Sequence, residues 1–433
     1  MRHPGAWHKI HLIFLRFRRK KIHGLLVKLA LATIGVTLSI ADVSQANTAQ
    51  EARARVATTY PNGLPNYLTP EERELPIPRP LFRGSSPPSG TVRCPAEYEP
   101  QEGLLLAWSA YSSLLTDITL TVTNENTNAY VMIVVASEED ETRVSDLLRR
   151  AGAAMDRVRF TLYDTDTVWI RDYGPRYIFE DGVRKIVDYT YNRPRPRDDK
   201  ISDYLSEGND YDMPLVHAGG NFHVFSNGDA FTTTLIQNEN PDVTAEQIQA
   251  FFYDYEHVHL TIYPAFPADF DSTQHIDMWM LPVKDHEVII AQYDPKNRRP
   301  HEITEAAVLD LKSRGYRVYR TPGWHSGLTH YTYTNAILLN NQVLIPRYGG
   351  KWKPYDEEAL KVFKEAFPER TLYQLDASDI VHAAGVLHCI AMQIPAPSDN
   401  NVQPMRLTLT VKHLRRLLNP FALLTTSPRM DEP

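Results

Sequence analysis

The sequence predicts an α/β protein in which a strand and helix unit recurs in a closed arrangement. Apolar runs of strand length alternate with amphipathic helical segments along the chain. Short strand pairs separate the helices, so the repeating unit is two strands, a helix and a further strand (ββαβ). No glycine-rich phosphate-binding loop follows a predicted strand, which argues against a nucleotide-binding protein.

The early elements show this alternation most clearly. Residues 103–108 form an apolar run typical of a buried strand, and residues 114–124 are predicted to be helical. Residues 129–136 predict a second buried strand, because almost every side chain in them is apolar. The amphipathic segment 138–150 predicts a helix, and the alternating segment 158–163 predicts a strand.

The same rhythm continues through the rest of the chain. The predicted helices, each with the strand that follows it, are 244–253 with 259–263, 302–314 with 316–319, and 356–367 with 371–375. The predicted strands between them are 231–236, 278–283 with 287–292, and 334–339 with 342–346. The Asn340-Asn341 step suits a hairpin turn, because Asn tolerates positive φ.

Composition sets limits on the function. The chain has 433 residues, with 42% hydrophobic and 23% charged, which is ordinary for a soluble globular protein. Its formal net charge of −7 argues against a nucleic-acid partner. Its two cysteines, Cys94 and Cys389, could form one disulfide, but not a scaffold held together by several.

The N-terminal region predicts export. Residues 1–46 carry eight basic residues and one acidic residue, Asp42. Their apolar run, 29–41, ends near Ser44-Gln45-Ala46, which is typical of a secretory signal peptide. That run is too short to favour a retained membrane span, although a signal anchor is the alternative. We therefore expect a periplasmic or secreted protein with no stable membrane span.

Three further regions follow the predicted signal peptide. Residues 47–93 are rich in proline and predict an extended arm or linker, with one helical turn begun by Thr69. Residues 94–395 hold the ordered domain. Residues 396–433 predict a flexible tail of unassigned role.

One short motif stands out chemically. If the chain is extended at His275-Ile276-Asp277, the His and Asp side chains project from the same face. Such a pair could be catalytic, could bind a metal ion, or could be a hydrogen-bonded pair in an ordinary core.

Four other motifs carry unusual polar residues, and each has a plain structural alternative. Trp169-Ile170-Arg171-Asp172 could hold a site carboxylate or only a surface ion pair, and Gly219-Gly220-Asn221 could allow close backbone approach or only a turn. Asn335 could orient a catalytic group or satisfy the backbone. Cys389 could be a nucleophile or a buried, inert thiol.

In this order, the motifs Trp-x-Arg-Asp-x-Gly-Pro, Gly-Gly-Asn, His-x-Asp, Tyr-Thr-Asn and Leu-His-Cys resemble the bacterial (Porphyromonas-type) peptidylarginine deiminase and agmatine deiminase family. This family belongs to the guanidine-modifying superfamily. The segment 95–103 resembles the family's approach to its first strand, and the resemblance runs from about Cys94 to Ile390. It implies a five-bladed α/β propeller (pentein) of ββαβ units, with the site at its centre.

The resemblance also implies roles for individual residues. Asp172 and Asp277 would hold the two edges of a guanidinium, and Cys389 would attack its carbon. His275 would move protons, and Asn335 would support the catalytic group. Trp169, Gly220 and Asn221 would contact the substrate, and neither a metal ion nor an organic cofactor is expected.

The segment Tyr191–Pro196 bears on the identity of the substrate. It resembles the peptidylarginine branch, in which Arg193 and Arg195 would receive the carboxylate of a C-terminal arginine. Ala218 stands where agmatine deiminases have Glu, and export argues against a role in cytoplasmic polyamine synthesis. Ser272, however, replaces a tyrosine of the peptidylarginine branch. We therefore expect deimination of C-terminal peptidylarginine to citrulline.

Other functions stay open at this point. An agmatine deiminase that forms N-carbamoylputrescine, for putrescine biosynthesis, is the main alternative. A metal-dependent hydrolase could use His217, His223, His275, Asp277 and His388. A cysteine peptidase or a non-catalytic guanidine-binding module is also compatible with the motifs. The sequence does not indicate an oligomeric state.

Overall fold

The computed structural model describes residues 59–76, 78–79, 85–124, 128–206 and 208–397. The predicted signal peptide and almost all of the predicted tail lie outside the described residues. No helix within these ranges is long and apolar enough to cross a membrane.

Eighteen strands and eight α-helices make up the described part of the chain. The strands are β1 (Val92–Arg93), β2 (Gln101–Ala107), β3 (Tyr130–Val135), β4 (Val158–Leu162), β5 (Arg176–Glu180), β6 (Val183–Tyr191), β7 (Asp210–His217), β8 (His223–Val224), β9 (Asp229–Thr233), β10 (His259–Tyr263), β11 (Met280–Lys284), β12 (Glu287–Gln292), β13 (Arg317–Ser326), β14 (Thr329–Thr332), β15 (Ile337–Leu339), β16 (Gln342–Arg347), β17 (Thr371–Asp376) and β18 (Met392–Pro395). The α-helices are α1 (Ser112–Asn124), α2 (Glu138–Ala151), α3 (Ile170–Tyr173), α4 (Ile201–Ser206), α5 (Leu235–Glu239), α6 (Ala245–Glu256), α7 (Arg298–Ser313) and α8 (Lys353–Ala366).

These strands form five small sheets, and each sheet repeats one pattern. An antiparallel strand pair is followed by helical structure, and the next strand then joins the sheet in parallel. In the fifth sheet the last strand, β18, pairs antiparallel with β2 near the start of the domain. The two ends of the domain therefore share one sheet, which closes the series. The α/β class and the predicted ββαβ repeat are confirmed, and the number of sheets equals the number of blades implied by the resemblance.

Most predicted elements with strong apolar patterns are confirmed. The predicted strands at 259–263 and 287–292 agree with β10 and β12 at both ends. Helix α2 follows its prediction closely, because Ser137 caps its first turn and Gly152, with φ of 90°, ends it.

Two predicted elements have different bounds in the structure, and one hairpin was not predicted. The strand predicted at 231–236 ends at Thr233, and helix α5 begins two residues later. Helix α7 begins at Arg298, four residues before its predicted start, and includes Pro300 within its early turns. The β5–β6 hairpin was missed, although its Asp181-Gly182 turn, with φ of 49° and 79°, is a strong hairpin signal.

The fold brings the predicted catalytic residues into short connections between sheets. Asp172 lies in α3, and Asn335 lies between β14 and β15. His275 and Asp277 lie just before β11, and Cys389 lies in a single helical turn before β18. Each of these side chains is completely buried.

Asp356 at the start of α8 fixes the connection that carries Asn335. Its carboxylate accepts hydrogen bonds from Tyr333 Oη at 2.7 Å, Tyr348 N at 3.0 Å and Gly349 N at 2.8 Å. The Asp356→Ala variant should lose about 3 kcal/mol of unfolding free energy, because three donors are left without their acceptor. Urea denaturation checks this value. The neighbouring exposed Glu357→Gln variant is the control, and equal stability of the two variants would contradict the assignment.

Candidate active site

Asp172 points into the interior from a single helical turn. Helix α3 ends at Gly174, where an added methyl group would lie 2.3 Å from the Ile170 carbonyl oxygen. Asp172 Oδ1 accepts a hydrogen bond from Gly220 N at 3.1 Å. Asp172 Oδ2 is buried and has no hydrogen-bond partner among the described residues.

His275 and Asp277 do not lie on a strand, as the sequence had suggested. Gln274 has φ of 60°, His275 is extended, and Ile276–Met278 forms one turn of 3-10 helix. Both side chains nevertheless face the same region. His275 Nδ1 lies 3.5 Å from Asp172 Oδ1, and neither ring nitrogen makes a hydrogen bond with another described residue.

Gly220 marks the point where these side chains converge. A methyl group built on Gly220 would lie 2.6 Å from Asp172 Oδ1, 2.8 Å from His275 Nδ1 and 3.1 Å from Asp277 Oδ2. Only glycine fits among three polar groups at these distances. Gly219 is equally constrained, because its added methyl group would lie 2.1 Å from the Arg171 carbonyl oxygen.

Asn335 links the thiol to one of the carboxylates. Its Nδ2 donates to Asp277 Oδ2 at 2.9 Å and lies 3.1 Å from Cys389 Sγ. Its Oδ1 accepts from the backbone N–H groups of His388 and Cys389, at 3.0 and 3.3 Å. The Cys389 thiol is also 3.6 Å from Asp277 Oδ2. One amide therefore holds the thiol and Asp277 side by side.

Burial sets the protonation of these groups. It raises the pKa of Asp172 to about 6, although the charge of Arg193 and the Gly220 N–H oppose the shift. It lowers the pKa of His275 to about 4, against the charge of Asp277. Burial, together with the charges of Asp277 and Asp172, raises the pKa of the Cys389 thiol well above its usual range. Near neutral pH the site therefore holds a thiol, a neutral imidazole and an ionised Asp172.

A chain of charges, buried except for the partly exposed Glu97, lies behind the site. Arg171 Nη1 donates to Glu97 Oε1 at 2.9 Å, and His388 Nε2 lies 3.0 Å from both Glu97 oxygens. His388 Nδ1 lies 2.8 Å from Asp277 Oδ2. Burial and Arg171 lower the pKa of His388, but Glu97 and Asp277 outweigh them and the net shift is upward. The sequence reasoning assigned no role to Glu97, which appeared only within the segment 95–103.

These contacts bear on the metal-hydrolase alternative. The structure brings His223 and His388 together with Glu97, with ligand atoms within 4.8 Å of one another. Glu97 and His388 are already engaged with Arg171 and Asp277, so we assign the group to the ion-pair network. The histidine at position 217 packs elsewhere, against the rings of three aromatic side chains: Tyr189, Phe222 and Phe252.

Of three predicted substrate-binding residues, Gly220 lies in the site, whereas Asn221 and Trp169 make hydrogen bonds with the surrounding backbone. Asn221 supports the surroundings of Gly220, because its Oδ1 accepts from Thr233 N and Ile276 N, each at 3.2 Å. Trp169 is fully buried, and its Nε1 donates to the Leu64 carbonyl at 2.9 Å.

Arg193 and Arg195 do not form the matched pair that the sequence suggested. Arg193 donates to two backbone carbonyls, those of Asn66 and Asn192. Its positive charge acts to lower the pKa values of Asp172 and His275. Arg195 instead forms a bidentate ion pair with Glu72, at 2.8 and 3.1 Å. A carboxylate of the same chain therefore already occupies Arg195.

Two features of the sequence remain, the cysteine pair and Ser272. Cys94 and Cys389 are both free, so the possible disulfide between them is not formed. Cys94 is buried, with its thiol 3.7 Å from Glu256 Oε2. Ser272 is exposed.

With this geometry in place, comparison with known proteins identifies relatives. Residues 93–395 match the family model described as Porphyromonas-type peptidyl-arginine deiminase. The agmatine deiminase of Stutzerimonas stutzeri (strain A1501) is 27% identical over 299 residues, which cover 57% of this chain and 80% of that protein. The agmatine deiminase of Ectopseudomonas mendocina (strain ymp) is 26% identical over 304 residues, with the same two coverages.

Solved structures show the same fold. The agmatine deiminase of Enterococcus faecalis superposes with a TM-score of 0.61 and 20% identity, covering 72% of this chain and 100% of that one. The C. jejuni agmatine deiminase with substrate bound has a TM-score of 0.62 and 18% identity, and the match covers 71% of this chain and 97% of that one. The family match covers well over half of the chain, and the predicted resemblance is confirmed. The chain is therefore a deiminase of the Porphyromonas-type peptidyl-arginine deiminase family.

Proposed function

We propose that this protein hydrolyses the guanidinium group of a small guanidino substrate and releases ammonia, with agmatine as the first candidate. The observation that carries the proposal is the set of unpartnered polar atoms that converge near Gly220. Asp172 Oδ2, Asp277 Oδ1 and both ring nitrogens of His275 are buried without a hydrogen-bond partner among the described residues. Each such atom costs about 1–3 kcal/mol, so their clustering beside a thiol favours a ligand site.

The charge of these atoms matches a guanidinium. A guanidinium is a planar cation with paired N–H donors, and a carboxylate accepts such a pair. Asp172 and Asp277 approach the point marked by Gly220 from different segments, and both can accept. A guanidinium held there would lie beside Cys389, which shares Asn335 with Asp277.

The chemistry then proceeds through a covalent intermediate. The bound cation stabilises the Cys389 thiolate, and His275 takes the thiol proton. The sulfur attacks the guanidinium carbon, and the carbon–nitrogen bond breaks as His275 returns the proton to the departing ammonia. His275 next removes a proton from water, whose oxygen attacks the same carbon. The carbon–sulfur bond breaks, and the products are a urea group and the regenerated thiol.

The surroundings of the site favour a small substrate without a carboxylate. All five proposed catalytic side chains are completely buried, and bringing the polar backbone of a polypeptide towards them costs more than bringing a small molecule. Arg195 is neutralised by Glu72. Glu239 Oε2 is buried without a partner among the described residues, and burial raises the pKa of this carboxyl to about 8, so a cation bound beside it would favour its ionised form. Agmatine carries an ammonium group that such a carboxylate could receive, and the named relatives are agmatine deiminases.

A peptide that ends in arginine is the second candidate. Its support is Arg193, which donates hydrogen bonds to the Asn66 and Asn192 carbonyls and whose positive charge opposes the upward pKa shift of Asp172. A terminal carboxylate could pair with this guanidinium. Ala218, in place of the Glu of agmatine deiminases, supports the same candidate.

We also propose that the protein is exported from the cytoplasm. The basic and apolar character of residues 1–46 supports export to the periplasm or beyond. N-terminal sequencing of the protein recovered outside the cytoplasm should begin at Asn47. Recovery of the intact chain inside the cell would contradict export.

A panel of four substrates tests the function. Ammonia release should be fastest with agmatine and slower with free arginine, a peptide ending in arginine and a peptide with internal arginine. The expected order follows from the buried site and from the Glu72–Arg195 pair. Higher kcat/KM for the peptide ending in arginine would favour the second candidate, and release from none of the four would reject both.

The pH profile tests the role of Asp172. Its carboxyl must be ionised to bind a cation, and its pKa in the free protein is raised to about 6. We expect kcat/KM for agmatine to rise about tenfold per pH unit below about pH 6 and then to level off. A profile that stays flat between about pH 5 and 7, in protein that remains folded by circular dichroism, would contradict this role.

A further inference from the structure

A short N-terminal segment lies across one side of the site. Its residues 63–72, here called the strap, belong to the region predicted as an arm or linker. Trp169 Nε1 donates to the Leu64 carbonyl at 2.9 Å, and Arg195 Nη2 donates to the Pro65 carbonyl at 2.7 Å. Three consecutive strap residues, Leu64, Pro65 and Asn66, therefore bond to side chains or backbone that flank the site.

Asn66 is a completely buried residue of the strap, and its contacts lie beside the site. Its N–H donates to the Ala383 carbonyl at 2.8 Å, and its carbonyl accepts from Arg193 Nε at 3.1 Å. The side chain is completely buried, and neither amide atom makes a well-formed hydrogen bond with another described residue. The amide nonetheless lies close enough to Asp172 to lower the pKa of that carboxyl.

The Glu72–Arg195 pair fastens the strap. Arg195 is 2% exposed and donates to both oxygens of Glu72, at 2.8 and 3.1 Å. Glu72 Oε2 also accepts from Thr69 N at 2.9 Å, and Thr69 Oγ1 accepts from Glu72 N at 3.2 Å. The carboxylate is thus held in one orientation from both sides. Bidentate arginine–carboxylate pairs of this kind are specific as well as strong.

We propose that the strap completes the substrate site: Asn66 contacts the bound guanidino substrate beside Asp172, and the Glu72–Arg195 pair keeps Arg195 from binding a substrate carboxylate. This inference rests on the proposed function and narrows its substrate class to small guanidines without a carboxylate. Asn66 has both a donor and an acceptor to offer such a substrate.

The first experiment breaks the pair that fastens the strap. Glu72→Gln leaves Arg195 without its carboxylate, so the ratio of kcat/KM for a peptide ending in arginine to that for agmatine should rise about tenfold, equivalent to about 1.4 kcal/mol. The control is Glu74→Gln, an exposed glutamate of the same segment, which should leave the ratio unchanged. An unchanged ratio in folded Glu72→Gln protein would overturn the inference.

The second experiment isolates binding from turnover. In a Cys389→Ser background, calorimetry should find that Asn66→Ala weakens agmatine binding about tenfold, because a hydrogen bond to a charged ligand is lost. Equal binding with and without Asn66 would overturn the strap inference alone. If the Cys389→Ser protein binds neither agmatine nor an arginine peptide, the proposed function itself fails, and the strap inference fails with it. Thermal unfolding confirms that each variant is folded.

Discussion

A chain of alternating charges, Arg171–Glu97–His388–Asp277, in which only Glu97 is partly exposed, holds the site together. Its links measure 2.8–3.0 Å, and they join parts of the chain that are far apart in sequence. Removing one member of such a chain leaves an unpaired buried charge, which typically costs several kcal/mol. The chain orients Asp277 and also fixes the turn that carries Cys389, because His388 is the adjacent residue.

The closed series of sheets makes this chain possible. Strand β18 pairs with β2, so the turn before β18 lies next to the segment that leads into β2. Glu97 and His388 meet at this junction, and Arg171 reaches it from α3. The turns that carry Arg171 and His388 also carry Asp172 and Cys389, respectively. The architecture thus places a rigid ionic network directly behind the reacting groups, which favours a fixed site geometry.

Sequence patterns predicted the fold well where burial was continuous. The apolar runs of β3 and β12 and the amphipathic pattern of α2 predict these elements correctly, because local pattern alone defines them. The β5–β6 hairpin was missed because its strands carry charged residues, although the Asp181-Gly182 turn was visible. The sequence predicts an extended segment at His275 because the single helical turn found there is too short to show a period.

The candidate site was predicted in part. Motif resemblance supplied the residues that converge near Gly220, but it could not supply Glu97, Asn66 or Glu72 as partners. Their contacts join residues separated by more than 100 positions, and no local pattern encodes such a pairing. The sequence predicts that Arg195 could bind a substrate carboxylate. In the folded chain, Glu72 of the strap already forms an ion pair with it.

Capture of the covalent intermediate tests the central claim most directly. Protein mixed with agmatine and quenched in acid within the first turnover should gain the mass of agmatine less ammonia, and peptide mapping should place that mass on Cys389. Cys94→Ser should form the same adduct, and Cys389→Ser should form none. Turnover of agmatine by the Cys389→Ser protein, or an adduct on any other residue, would contradict the account.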